Sequence, residues 1–269
     1  DNFYFQYAYG LDLNTSFTGE DNLYVGIEAG TAEGPMGSMD SAVDSGNDLE
    51  VANLFYTFPY GDVTITAGPR LAQDEILAAT TSAYSDSFQL GALPYSQAGD
   101  ENGPGVGFTY SHDSGFIASG SFISVEGWSA DSGINSDTRD DVKTVTVGYD
   151  SDGWGLGLIV ADNDGQSGGA GSETGYKTFG GGVYWSPEAW PATFSLSFDT
   201  KDLDGSDKEE EDWLFGLDYE IGSGILSLAY SNDDTSHLAD GVEWEAAYAY
   251  QVNDSITVTP GIYFKEETN

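Results

Sequence analysis

Hydrophobic and polar side chains alternate with period two along most of this chain. In the first segment Phe3, Phe5, Tyr7, Tyr9, Leu11, Leu13 and Phe17 share one parity. Asn2, Gln6, Ala8, Gly10, Asp12, Asn14 and Ser16 share the other, with Tyr4 the one large exception. Successive strand side chains point to opposite faces, so this pattern describes a strand with one aromatic, greasy face and one small, polar face. The same unit recurs about seven times: a strand, a short turn, a second strand, a long polar loop.

The second strand is predicted over Asn22 to Gly30, with Leu23, Val25, Ile27 and Ala29 on one face. Next come Leu49 to Phe58 and Asp62 to Gly68, joined at Pro59-Tyr60-Gly61, with a break of parity near Asn53 that marks a bulge. Later pairs join at His112-Asp113-Ser114-Gly115, Ser151-Asp152-Gly153, Gly222-Ser223-Gly224 and Asn253-Asp254-Ser255, while Pro187 and Pro191 lie in another short connection. Such turns are what hairpins favour. The count reaches about 14 strands, with tight turns at one edge and long loops at the other. The predicted fold is therefore all-β: a transmembrane, antiparallel, up-and-down β-barrel forming a single domain over residues 1–269. Phe55, Tyr56, Tyr110, Trp154, Trp185, Trp213 and Tyr219 cluster near strand ends, as girdles at a membrane interface do.

Composition narrows the function. Acidic residues number 46 against 7 basic, a formal charge of −39, which excludes nucleic acid as a partner and favours cations. A salt-adapted organism would produce the same excess. There is no cysteine, so neither a disulfide framework nor a Cys-ligated metal site can form. No apolar run approaches the roughly 20 residues of a membrane helix, and no signal peptide is visible. Both outermost strands are expected to end on the long-loop side. Since barrels of this kind keep their termini on the other side, one strand is expected to be missing at each end, giving a complete barrel of about 16. A 14-stranded barrel with its termini on the loop side is the alternative.

Three stretches resemble the cyanobacterial outer-membrane porins, a group related to carbohydrate-selective porins and often called iron-uptake porins. They are Leu11-Asp12-Leu13-Asn14-Thr15-Ser16-Phe17-Thr18-Gly19, then Leu54-Phe55-Tyr56-Thr57-Phe58-Pro59-Tyr60-Gly61-Asp62, and Gly105-Val106-Gly107-Phe108-Thr109-Tyr110. The resemblance covers most of the chain. It implies a homotrimeric channel in the bacterial outer membrane that passes small solutes and inorganic ions and carries no enzymatic activity. The surface-layer-homology domain and the closing C-terminal aromatic typical of that group are not seen in this sequence.

The longest loop runs from Pro69 to Gly103, and a loop of that length inside a compact domain is normally functional. In porins such a loop folds inward and narrows the passage. Gln73 to Tyr84 is tolerant of a short helix. Arg70, Asp74 and Glu75 are the expected constriction residues, with Arg70 opposing the two acids across the passage; a simple ion pair pinning the loop is the bland alternative. Asp12, Glu28, Asp218, Glu220, Glu243 and Glu245 take the polar parity and are expected to line the lumen, with Lys143 and Lys177 as counterweights. A preference for cations follows.

Other signals carry less. Gly165-Gln166-Ser167-Gly168-Gly169 mimics a nucleophile elbow but sits in a glycine-rich loop rather than a strand-to-helix turn. His112 and His237 are too few for a histidine metal site. Asp162-Asn163-Asp164-Gly165 and Asp202-Leu203-Asp204-Gly205-Ser206-Asp207 place glycine wrongly for an EF-hand. No cofactor is expected, although the acidic loops could take loosely held Ca²⁺ or Mg²⁺. Two further classes fit an alternating chain: a soluble, secreted, glycan-binding β-sandwich, and an outer-membrane adhesin or enzyme barrel.

Overall fold

The computed structural model describes residues 5–34, 41–77, 101–125, 140–165, 174–206, 209–233 and 241–265. Between these it also describes Gly37, Met39, Tyr84, Ser85, Phe88, Leu90, Gly127, Trp128, Ala130 and 133–136. Phe3, Gln166 to Gly169 and His237 lie outside the described residues.

One antiparallel sheet holds every strand, and the strands follow one another in chain order. They are β1 (Ala8–Thr15), β2 (Asn22–Gly30), β3 (Glu50–Tyr60), β4 (Val63–Ala72), β5 (Asn102–Ser111), β6 (Phe116–Ser124), β7 (Asp141–Ser151) and β8 (Trp154–Asn163). Then come β9 (Tyr176–Trp185), β10 (Ala192–Leu203), β11 (Glu209–Ile221), β12 (Gly224–Asp233), β13 (Gly241–Asn253), β14 (Ile256–Val258) and β15 (Gly261–Lys265). Both β14 and β15 pair with β13, so they are one strand interrupted at Thr259 and Pro260. Among the described residues β1 pairs only with β2, and β14 and β15 only with β13, so the sheet is not closed by a hydrogen-bonded seam. A single sheet in this order is not a sandwich of two stacked sheets.

The turns follow from their residues. Gly153 (φ 79°) and Gly222 (φ 65°) occupy the left-handed region that tight hairpin turns demand. The predicted bulge near Asn53 is present: Gly26 faces Asn53 and Ile27 faces Val51, one β3 residue being extra. Several strands run further toward the loop edge than their apolar residues suggest. β10 and β11 continue through Thr200–Leu203 and Glu209–Asp212, with Lys201 opposite Glu210. Lys201 opposite Glu210 and Lys177 opposite Asp202 support this strand end, offsetting the like charges that face each other at Asp199–Asp212 and Asp202–Glu209.

Outward, the register aligns apolar rows such as Ile65, Phe108, then Val145, Val160 and Phe179, with Gly120 between Phe108 and Val145. Phe108, Leu158, Phe198 and Phe215 are each 43–45% exposed, and Val145, Val160 and Phe179 beside them are exposed too. A continuous apolar surface of this extent has no stable existence in water and requires an apolar medium or partner. Near the turn edge aromatic rings pair on this face: Tyr149 with Trp154 at 5.4 Å, Trp185 with Phe194 at 5.8 Å and Tyr110 with Phe116 at 6.2 Å. Phe55, expected in this girdle, is instead turned inward and buried, stacked on Tyr24 at 4.9 Å.

Inward, small polar residues dominate mid-strand: Thr66, Ser119, Thr146, Ser195 and Ser227 are buried. Three apolar islands interrupt them. One joins Phe55, Leu71, Ile76 and Ile123; a second joins Val142, Ile159 and Ala161 with Leu77; a third joins Leu214 and Ala229 with Tyr84 and Leu90. Each island includes a residue of the β4–β5 loop, so the loop explains why apolar side chains face inward at these places.

Candidate functional site

The β4–β5 loop begins with a 3-10 turn at Asp74–Ile76, and 78–83, the rest of the segment tolerant of a short helix, lie outside the described residues. Gln73 is fully buried there and donates from Nε2 to Thr144 Oγ1 of β7 at 2.5 Å. Ile76 packs over Gly107, where a Cβ would meet Ile76 Cδ1 at 2.7 Å. Further along, the loop reaches the inner face of β11–β13. Tyr84 Oη donates to Glu245 Oε1 at 2.5 Å, and the Leu90 N–H donates to Glu245 Oε2 at 2.9 Å. The Ser85 N–H donates to Asp218 Oδ2 at 2.9 Å, and Ser85 Oγ lies 2.8 Å from Asp218 Oδ1. Ser227 Oγ adds a third donor to Asp218 at 2.6 Å. Gly216 makes room for the approach, because a Cβ there would lie 2.7–2.9 Å from three Tyr84 carbons. The described part of the loop thus touches inner-wall residues from β3 to β13.

The acidic residues divide into two sets. On β10–β13 they are covered. Asp199, Glu210, Asp212, Glu243 and Glu245 are all buried, and Lys265 Nζ sits 2.6 Å from Glu243 Oε1. Asp218 is half-buried in its bonds to Ser85 and Ser227. A buried carboxylate is tolerable only where donors or cations meet it: Glu245 has loop donors, Asp218 has Ser85 and Ser227, and Glu243 has Lys265. On β1 and β2 the set is open: Asp12 is exposed and accepts from Tyr24 Oη at 2.6 Å, and Glu28 is half-buried opposite Gly10 and Glu50. Glu220 has inward parity but lies beside the β11–β12 turn, exposed at that rim.

Asp74 and Glu75 stand in the 3-10 turn, near the β1–β2 set. Burial, then the charges of Asp74 and Asp12, push the Glu75 carboxyl above its ordinary value of 4.5. At the opposite edge Asp21 closes the β1–β2 turn. The Tyr56 hydroxyl, then donors from Thr18 and Ser16, hold its carboxyl well below the usual range, more than offsetting partial burial.

Two expectations are corrected. Lys143 does not line the inner wall. It shares the outward parity of Val145 and Val147, while its neighbours Val142 and Thr144 are buried inward. Val142 is buried inward because the inner wall is apolar where Leu77 packs on it. Lys177 is likewise outward, 3.7 Å from both Asp162 and Asp204. Arg70 is the second correction. The ladder slips between Gly68 and Leu71, which brings Leu71 into the inner cluster and places Arg70 opposite outward-facing Leu54. Its guanidinium lies 4.7 Å over the Trp128 ring.

Among the described residues, the inward cations not expected from the sequence are Lys201, 4.3 Å over the Tyr176 ring, and Lys265. Lys201 could have been found from its alternation with Phe198 and Thr200. Among the described residues no group of three or more Asp, Glu, His or Cys side chains has the geometry to hold a metal ion.

No family model matches the chain, and no curated protein matches it in sequence. Solved structures do match in shape. An anion-selective porin from Comamonas acidovorans superposes with a TM-score of 0.70 at 14% identity, over 96% of this chain and 78% of that one. A loop L8 deletion mutant of OmpT, an outer membrane protein of Vibrio cholerae, gives 0.67 at 14% identity, over 96% and 84%. A mutant of the Rh. blastica porin gives 0.58 at 14%, again over 96% and 84%. The exposed apolar face, the consecutive antiparallel strands and these superpositions lead to one conclusion: the chain has the fold of the bacterial outer-membrane β-barrels.

Proposed function

We propose that this protein is an outer-membrane channel for passive diffusion of small hydrophilic solutes and inorganic ions, without enzymatic activity and with a preference for cations. The carrying observation is the inward-folded β4–β5 loop fixed to Asp218 and Glu245 inside an up-and-down sheet whose outward face is apolar. A loop held there narrows the passage, with Asp74, Glu75, Asp12 and Glu28 facing the space left open on the β1–β2 side. Those carboxylates, with few inward cations against them, set the sign of the field that a permeating ion meets. The similarity to an anion-selective porin bears on the fold alone, since selectivity resides in the side chains of the wall. OmpT of Vibrio cholerae has a trimer form, and we extend the homotrimer to this chain together with contact to membrane lipid.

Planar-bilayer recording in asymmetric KCl tests the reading. The expected result is discrete conductance steps with a reversal potential on the potassium side. A reversal potential favouring chloride would overturn the cation preference, and insertion without current would overturn the channel.

A further inference from the structure

We infer that the outward face carries a binding site for a phosphate-bearing membrane lipid, with one acyl chain in a groove over Gly120 and the phosphate on Lys143. The inference rests on the membrane placement proposed above. The groove holds about 410 Å³ and is lined by Ile65, Phe108, Gly120, Phe122, Val145 and Lys143, among others. Its origin is legible in the register. Phe108, Gly120 and Val145 stand side by side in one outward row, and Val106, Phe122 and Lys143 in the next row toward the loop edge. Gly120 contributes no side chain to its row, so a furrow opens among rings and branched chains. A Cβ at Gly120 would lie 2.9 Å from the Phe108 ring, which leans over this position.

Charge decides the occupant. An apolar furrow on a membrane-facing wall accepts any acyl chain, but Lys143 stands at its loop-edge end and is exposed. Its cross-strand neighbour Asp162 is already engaged by Lys177 at 3.7 Å. Lysine in such a place extends its ammonium along the wall toward the headgroup layer. On a chain with a net charge of −39, outward cations at the loop edge are a local exception, and Lys143, Lys177 and Arg70 all face that way. An ammonium above an apolar furrow fits a lipid whose head carries phosphate charge that no choline offsets.

The test uses the refolded protein in nanodiscs of phosphatidylcholine with a minor fraction of phosphatidylglycerol, followed by native mass spectrometry of the lipid that remains after detergent exchange. Wild-type protein is expected to retain phosphatidylglycerol above its share in the disc. Lys143→Gln should lower that retention about fivefold, the effect of one cation near the headgroups. Gly120→Leu should displace lipid of both kinds. Both variants should keep wild-type single-channel conductance, since neither residue faces inward. Equal retention of phosphatidylglycerol by wild type and Lys143→Gln would overturn the site. So would disulfide-linked pairs of Val145→Cys protein in bilayers, because a second copy would then cover the groove. Protein that never inserts or conducts removes the membrane reading itself, whereas a conducting wild type without lipid preference removes only this inference.

Discussion

The two inner walls of this molecule carry the same kind of side chain to opposite ends. On β11 and β13 the carboxylates of Asp218 and Glu245 are covered, receive hydrogen bonds from the β4–β5 loop and hold it in place. On β1 and β2 the carboxylates are open, and Asp12 has one tyrosine hydroxyl as its visible partner. An acidic residue on an inward parity is thus either a structural acceptor or a source of field. What decides is whether loop donors reach it.

The comparison can be broken most directly by deleting the loop. Removal of Ala72 to Ser96 should raise single-channel conductance severalfold, and an unchanged conductance would mean that this loop does not narrow the passage. Glu245→Ala attacks the covered wall at one point. Tyr84 and the Leu90 N–H lose their acceptor, at a cost of about 1–3 kcal/mol. Denaturant unfolding should show that loss, and recordings should show a noisier, larger conductance with little change in reversal potential. Gly216→Val leaves the carboxylates intact but pushes a branched side chain into the Tyr84 ring. Overpacking should cost about 1–3 kcal/mol and produce the same noise.

Glu28→Gln on the open wall should do the reverse. Stability should change by no more than about 0.5 kcal/mol, because removing the half-buried Glu28 charge breaks no ion pair among the described residues and relieves its repulsion with Glu50, while the reversal potential moves toward zero. The smallest effect is expected from pH. Glu75 has a raised folded value, so it takes up its proton while the same residue in an unfolded chain is still ionised above 4.5. Its ionised form therefore opposes the folded state at neutral pH, and that penalty disappears as pH falls below the folded value. Cation preference should begin to weaken in that window, and the early part of the decline should be missing in Glu75→Gln.

The alternation of Leu11, Leu13 and Val25, the glycine turns and the slip near Asn53 were all readable from the residues, because period two leaves a clear signature where one face meets an apolar medium and the other is polar. The signature failed where both faces are apolar. Val142 and Phe55 look outward by composition, yet the β4–β5 loop gives them an apolar partner inside. Lys143 shares its parity with Val145 and Val147, so the rest of its strand places it outward. Arg70 was lost differently: an extra residue in the ladder at Gly68–Leu71 leaves no mark in a local window of sequence. Which carboxylates are covered was not readable at all. Their donors lie far away in the chain, as with Ser85 and Asp218, 133 residues apart.

The interruption of the last strand at Pro260 also bears on assembly. An unpaired strand margin is a template on which any extended peptide can dock, and proteins that must remain discrete tend to blunt it. A prolyl nitrogen has no hydrogen to offer, and here it divides β14 from β15. Any chain laid along that margin, a partner strand of the barrel included, would find two short stretches instead of one long rail.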